Sequence, residues 1–173
     1  MAIVLARDPA SQASTFLLTE RAASLRSHAG QWALPGGRCE EGEPAVAAAL
    51  RELEEELGLR LPPSQVLGEL DDYATRSGYL ITPVLAWAEG ECELRANPHE
   101  VATVLHVPVD LLAETEAFDF IRIPESEQPV IRLRMNARYI HAPTAAILFQ
   151  FRELLAGRVT RVSGLEQPVF AWR

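Results

Sequence analysis

The sequence predicts an α/β fold in which a sheet is covered by helices on both faces. Two segments, Pro44–Leu57 and Pro143–Leu155, have the apolar spacing of amphipathic helices. Several short apolar runs bounded by polar turns indicate strands, most of them between the two helices. Strands combined with two substantial helices favour a layered sandwich. At 173 residues the chain fits one domain, 1–173, with no internal repeat or long linker.

The strands are predicted from apolar runs and the turn residues between them. A short strand is also predicted near Gln31–Leu34 and a short helix over Val109–Ala113, and Asn136-Ala137 is the expected turn of a hairpin. The predicted strands are Ile3–Ala6, Thr15–Thr19, Val66–Tyr73, Tyr79–Ala88, Val101–Val107, Val130–Met135 and Arg138–Ile140.

Composition excludes several classes of function. The formal net charge is −8, which argues against a general nucleic-acid-binding surface. All 16 basic residues are arginine, so Schiff-base chemistry and Walker-type phosphate binding through lysine are excluded. No apolar run approaches the length of a membrane span, and the short apolar start at Met1–Leu5 is typical of a strand rather than a signal peptide. We therefore expect a cytosolic protein that does not bind membranes.

The helix Pro44–Leu57 carries the clearest chemical signal. Proline suits its first turn, and Gly58 suits the left-handed position beyond its end. At about 100° per residue, Glu52 and Glu56 lie one turn apart on one side, with Glu55 beside them. Carboxylates at such spacings repel one another, and Mg²⁺ or Mn²⁺ would relieve the repulsion. The alternative is a solvated acidic face, which we adopt for Glu54 alone. The apolar stripe, expected to be buried on the opposing side, consists of Val46, Leu50, Leu53 and Leu57.

The segment Gly37–Leu59 reads GRCEEGEPAVAAALRELEEELGL and resembles the Nudix box at every fixed position. These positions are Gly37, Glu43, Arg51, Glu52, Leu53, Glu55, Glu56, Gly58 and Leu59. The resemblance implies the Nudix fold, an α/β/α sandwich with a mixed, curved sheet. It also implies a hydrolase that uses divalent metal ions to cleave a diphosphate bond in a nucleoside-diphosphate-linked substrate.

The resemblance implies a role for each carboxylate of the box. Glu52 and Glu56 are the expected principal metal ligands, Glu55 binds a metal directly or through water, and the Gly37 carbonyl oxygen is a further candidate ligand. The expected cofactor is Mg²⁺ or Mn²⁺, which would neutralise and position the diphosphate and lower the pKa of the attacking water.

Arg51 and Glu100 complete the expected catalytic set, in which Glu52 and Glu55 are also counted, and Glu43 has an expected structural role. Arg51 is expected to orient the carboxylates. Glu43 is expected to brace the loop, with a peripheral metal contact as the alternative. Glu100, just before a predicted strand, is the candidate for an extra metal ligand or the general base; the alternative is an exposed loop acid. Its neighbour His99 is interpreted as a surface residue.

The upstream segment Leu17–Gly37, LLTERAASLRSHAGQWALPGG, resembles an additional signature of the coenzyme A diphosphatases. Arg21, Arg26 and His28 form a compact cationic set there. They are the candidate substrate-binding residues, for the 3′-phosphate of coenzyme A or the scissile diphosphate. The alternative is that the arginines pair with nearby acids and that His28 braces the loop. The resemblance implies the products 4′-phosphopantetheine and adenosine 3′,5′-bisphosphate.

Two alternatives to coenzyme A or acyl-CoA stay open. One is the same chemistry on ADP-ribose, a dinucleoside polyphosphate or an oxidised nucleoside triphosphate. The other is a non-catalytic, nucleotide-sensing Nudix domain. The sequence departs from the coenzyme A pattern at His141 and Ala142, where an aromatic-glycine pair is usual. The expected partner is a small-molecule nucleotide diphosphate; the oligomeric state, monomer or homodimer, is not determined.

Overall fold

The computed structural model describes residues 1–25, 28–90, 92–135 and 138–172. Strand β1 (Ala2–Arg7) lies at the centre of a six-stranded mixed sheet. It pairs in parallel with β7 (Val84–Trp87) and antiparallel with β2 (Ser14–Arg21). The remaining strands of this sheet are β3 (Trp32–Ala33), β4 (Val66–Glu69) and β8 (Val101–Pro108). The order is β3-β2-β1-β7-β4, and β8 also pairs with β2.

Helix α1 (Ala45–Leu57) packs against β1 and β7 of this sheet. Leu53 and Leu57 are fully buried beside Val4 and Val84, and each fully buried side chain of this size contributes about 1.5–3 kcal/mol. The predicted stripe is therefore confirmed, although Val46 and Leu50 are only partly buried at its margin.

The chain divides into two compact units. The first contains residues Met1–Glu69 and Pro83–Val109, including the six-stranded sheet and α1; the second contains Leu70–Thr82 and Asp110–Arg173. Residues on both faces of β1, such as Ile3 and Val4, are fully buried. The α/β class with a mixed sheet and two helices is confirmed, whereas the single-domain interpretation stays a prediction.

The second unit contains two small antiparallel sheets and the second helix. Strands β5 (Tyr73–Ala74) and β6 (Leu80–Ile81) form a hairpin. Strands β9 (Phe118–Ile123), β10 (Ser126–Met135) and β11 (Arg138–His141) form a sheet in the order β11-β10-β9, and α2 (Thr144–Leu155) packs against β10 and β11. Among the described residues, neither helix has the length and apolar character needed to cross a bilayer.

Two predicted strands were wrong in extent, and one strand was missed. The predicted strand Tyr79–Ala88 is broken at Pro83, so that β6 and β7 belong to different sheets; proline has no N–H to donate to a ladder. The predicted strand Val66–Tyr73 is broken after Glu69, ahead of a pair of aspartates. Strand β9 was not predicted, although its sequence FDFIRI has an alternating pattern. The expected turn at Asn136-Ala137 lies outside the described residues.

Candidate active site

Helix α1 presents its carboxylates in very different environments. Its start follows Pro44, in an extended conformation, and its end is fixed by Gly58 at φ 63°, whose N–H donates to the Glu54 carbonyl at 2.9 Å. Glu55 is exposed, whereas Glu56 is buried, with 5% of its surface accessible. The acidic residues therefore do not form one solvated face, because Glu56 lies on the buried side of the helix with Leu53.

Among the described residues, the buried carboxylate of Glu56 accepts a backbone hydrogen bond and has two acidic neighbours. The Gly36 N–H donates to its Oε2 at 3.1 Å. Burial, aided by the negative charges of Glu52 and Glu100, raises the pKa of Glu56 to about 7, while the Gly36 hydrogen bond and the charge of Arg21 oppose the shift. An acid held in this setting favours a bound cation, which would compensate for lost hydration and for repulsion. All the candidate metal-ligand atoms are oxygens, which Mg²⁺ and Mn²⁺ prefer.

The loop before the helix leaves room for the carboxylate of Glu52. A Cβ placed on Gly37 would lie 2.2 Å from Glu52 Oε1 and 2.6 Å from Oε2. The space that a side chain at position 37 would fill is thus occupied by a carboxylate. In this chain the box therefore needs glycine at position 37 for a steric reason, because a larger side chain would collide with the Glu52 carboxylate.

Arg51 joins the loop to the helix carboxylates. Its Nε and Nη2 donate to the two oxygens of Glu43, each at 3.0 Å, and Nη2 also donates to the Arg38 carbonyl at 3.0 Å. Its Nη1 donates to Glu52 Oε1 at 2.9 Å and to Glu55 Oε2 at 3.1 Å. The pKa of Glu43 is lowered, chiefly by the hydrogen bond from Arg51. Arg51 therefore fixes the direction of several carboxylates at once.

The metal ligands expected from the sequence are not preassembled as a cluster. Among the described residues, no three His, Cys, Asp or Glu side chains stand together in a way that could hold a metal ion. Glu52 and Glu55 are turned toward Arg51, and Glu56 toward Gly36. Because a carboxylate has two oxygens, one can stay on its present partner while the other accepts a cation.

Glu100 lies beside the same helix. It is half-buried just before β8, and its backbone carbonyl accepts from the Ala22 N–H at 2.8 Å. Its Oε1 accepts from Asn97 Nδ2 at 2.9 Å. Its charge contributes to the raised pKa of Glu56, so the two carboxylates are electrostatic neighbours. Tertiary structure thus brings Glu100 close to residues some 44 positions earlier in the chain.

The candidate substrate-binding residues that the structure describes lie in different environments. Arg21 ends β2, and its buried Nε has no hydrogen-bond partner among the described residues, while its charge acts on Glu56. His28 is exposed, and its Nδ1 lies 3.1 Å from Gln31 Oε1. Arg26 lies outside the described residues. Of the two described residues of this set, Arg21 is the one whose charge acts on Glu56.

Two residues at this centre, Gly36 and Asn97, had no role predicted from the sequence. The Gly36 N–H donates to Glu56, and Gly36 has φ 140°, a conformation that favours glycine. Asn97 bonds Glu100. The Gly36-Gly37 pair indicated a close backbone approach, and Asn97-Pro98 indicated a turn with a side-chain acceptor, but neither pattern named the carboxylate involved.

A family model for the NUDIX domain matches residues 1–125. The chain belongs to the Nudix family. It is 38% identical over 115 residues to Nudix hydrolase NudL of Photorhabdus laumondii, a match covering 66% of this chain and 62% of that protein. It is 34% identical over 152 residues to NudL of Pectobacterium atrosepticum, covering 83% of this chain and 77% of that protein. The chain spans about half, 48%, of the NudL proteins of Yersinia pestis that it matches.

Solved structures share the fold. A Nudix hydrolase from M. smegmatis, RenU, aligns with a TM-score of 0.60 and 26% identity, covering 92% of this chain and 87% of that one. An Ap4A hydrolase from C. elegans aligns with a TM-score of 0.57 and 19% identity, covering 90% and 96%. At this identity the second likeness concerns the fold alone.

Proposed function

We propose that this chain is a metal-dependent diphosphohydrolase of nucleoside-diphosphate-linked substrates, with coenzyme A or an acyl-CoA as the preferred class. The observation that carries the proposal is the buried carboxylate of Glu56, whose charged form is disfavoured by burial and by the negative charges of Glu52 and Glu100. A structural role alone does not account for a buried acid with two acidic electrostatic neighbours, near the partly buried Arg21 and Arg51. A site that binds a cation together with an anionic substrate does account for them.

Glu52 and Glu56 would hold Mg²⁺ or Mn²⁺, with Glu55 and the Gly37 carbonyl as further ligands. When bound, the metal would neutralise the diphosphate and make water a better nucleophile. Arg51 would keep Glu52 and Glu55 directed at the site through its hydrogen bonds at 2.9 and 3.1 Å. Each of these carboxylates has a second oxygen that could accept a metal ion while the first keeps its present hydrogen bond.

Arg21 would bind the scissile diphosphate. Its buried Nε has no partner among the described residues, and a buried guanidinium N–H without an acceptor is costly. A phosphate oxygen would supply that acceptor with a charge-assisted hydrogen bond. Because Arg21 acts on Glu56 electrostatically, this contact would lie near the metals.

Glu100 would take the proton from the attacking water. It is near Glu56 but fixed by different elements, the Ala22 N–H and Asn97. Water would add to one phosphorus, and the bond from that phosphorus to the bridging oxygen would break. For coenzyme A the products are 4′-phosphopantetheine and adenosine 3′,5′-bisphosphate.

A substrate screen with Mg²⁺ and with Mn²⁺ tests the proposal. Coenzyme A, acetyl-CoA, ADP-ribose, diadenosine tetraphosphate and an oxidised nucleoside triphosphate are incubated at equal concentration, and the products are identified by mass. The expected result is highest kcat/KM for a coenzyme A compound, with loss of turnover in excess chelator. A preference for another nucleotide would overturn the substrate class. Binding without turnover of any compound would favour a nucleotide-sensing domain.

A further inference from the structure

The loop before β8 is held against the end of α1 by backbone hydrogen bonds. The Asn97 N–H donates to the Glu56 carbonyl at 2.8 Å, and the Arg95 N–H donates to the Leu57 carbonyl at 2.7 Å. These are carbonyls of the last helical turn, which have no partner within a helix. The backbone of Asn97 is therefore fixed relative to Glu56.

The side-chain amide of Asn97 has a defined orientation. Its Oδ1 accepts from the His99 N–H at 3.1 Å, and its Nδ2 donates to Glu100 Oε1 at 2.9 Å. The His99 N–H can only donate, so the amide oxygen must face it. The amide nitrogen must then face the carboxylate of Glu100, and a flipped amide would lose both bonds.

The same residue also fixes the backbone of Glu100. The Asn97 carbonyl accepts from the N–H groups of Glu100, at 3.0 Å, and Val101, at 2.8 Å. The Glu100 carbonyl accepts from the Ala22 N–H. The backbone of Glu100 is thus fixed on two sides. Its carboxylate can still move by rotation about the side-chain bonds, and the hydrogen bond from Asn97 Nδ2 restrains that rotation.

We propose that Asn97 is a positioning residue that holds the Glu100 carboxylate in one orientation for the hydrolysis. This inference rests on the proposed function, in which Glu100 acts on the attacking water. A glutamate free to rotate would spend part of its time turned to solvent, and Asn97 prevents this through a hydrogen bond to an ionised acceptor. This role requires no contact between Asn97 and either substrate or metal.

The variant Asn97→Asp tests the inference. Aspartate keeps the oxygen that accepts from the His99 N–H, so the turn is preserved, but it replaces the donor to Glu100 with a second negative charge. We expect kcat to fall about tenfold to a hundredfold, the equivalent of one hydrogen bond to a charged group, with KM changed less than threefold. Asn97→Ser, which keeps an acceptor without adding charge, serves if the aspartate variant does not fold. His99→Ala, an exposed neighbour, is the control and should keep the wild-type kcat.

A double-mutant cycle separates positioning from a structural role. In the Glu100→Ala background, Asn97→Asp should cause no further loss of kcat, because no carboxylate remains to be positioned. An equal loss in both backgrounds would overturn the inference, since it would mean that Asn97 supports the loop independently of Glu100.

Crystal structures of the metal-free wild type and Asn97→Asp provide a readout that does not depend on activity. We expect the Glu100 carboxylate to lie near 2.9 Å from Asn97 Nδ2 in the wild type and to be rotated away in the variant. An unchanged Glu100 would overturn the inference. If the wild type cleaves no diphosphate, the proposed function fails, and the crystallographic comparison still decides whether Asn97 positions Glu100.

Discussion

The carboxylate of Glu52 occupies the space that a side chain on residue 37 would need. A Cβ on Gly37 would lie 2.2 Å from Glu52 Oε1 and 2.4 Å from Cδ, closer than non-bonded atoms approach. The end of a flexible side chain moves more readily than a backbone does. Any larger residue at position 37 must therefore displace the carboxylate.

Gly37→Ala should reduce kcat by about 10²–10³-fold while the melting temperature stays within a few degrees of wild type. The reason is that alanine redirects Glu52 without straining the loop, so a transition-state contact is lost rather than the fold. Steady-state kinetics and calorimetry measure the two quantities. Gly164→Ala is the matched control, because a Cβ there meets no atom within 4 Å. Wild-type turnover in Gly37→Ala would contradict the assignment of Glu52.

Glu52→Gln should separate an enzyme from a sensor. Glutamine keeps the shape and the acceptor for Arg51 Nη1 but removes the charge that a metal requires. Turnover should fall roughly 10²–10⁴-fold, as expected for a catalytic group, with the fold preserved. Glu54→Gln, which changes an exposed acid paired with Arg60 on the same helix, should keep wild-type turnover. Equal rates for Glu52→Gln and wild type would mean that the helix carboxylates are not used.

Glu56→Gln should stabilise the metal-free protein and weaken metal binding. At pH 8 the wild-type carboxylate is ionised in a buried site, and glutamine removes this charge while still accepting from the Gly36 N–H. A melting temperature raised by several degrees is expected, since 1 kcal/mol corresponds to roughly 2–4 °C at this length. Isothermal titration with Mn²⁺ should show affinity at least tenfold weaker. A lowered melting temperature with unchanged affinity would show that Glu56 is a structural acid.

The 3′-phosphate tests whether coenzyme A is the substrate. We expect a preference for coenzyme A over its 3′-dephospho form of about tenfold to a hundredfold in kcat/KM, from one charge-assisted hydrogen bond. Arg26→Ala should remove most of this preference and leave slow cleavage of the dephospho form. Arg21→Ala should instead reduce kcat/KM for both compounds equally, because its Nε has no partner among the described residues and its charge acts on Glu56. Equal handling of both compounds by the wild type would exclude recognition of the 3′-phosphate.

His141 should make the stability of the protein fall in mild acid. Burial lowers its pKa below the ordinary value of 6.5, and the positive charge of Arg132 lowers it further. As the pH falls below about 6.5, the unfolded chain takes up this proton before the folded chain does, so the free energy of unfolding decreases. One group contributes at most about 1.4 kcal/mol per pH unit. Urea unfolding at pH 7.5 and pH 5.5 should show a smaller decrease for His141→Gln; an equal decrease in both proteins would contradict the prediction.

Local signals in the sequence were enough to predict helix α1 and to identify its carboxylates. Pro44–Leu57 was predicted and Ala45–Leu57 is observed, because the proline, the apolar stripe and Gly58 are local signals that act within one helix length. The four-residue spacing of Glu52 and Glu56 is likewise local.

Tertiary structure decided the environments of these groups. The burial of Glu56, the approach of Glu100, the contact between Glu52 and Gly37, and the bond from Asn97 all join segments that are distant in the chain. The break at Pro83 also could not be predicted from local patterns, because the pairing of β7 with β1 decides which sheet this strand joins. Local spacing fixes which side chains a helix presents. Burial and charge depend on the segments that pack against it, and no local pattern encodes those segments.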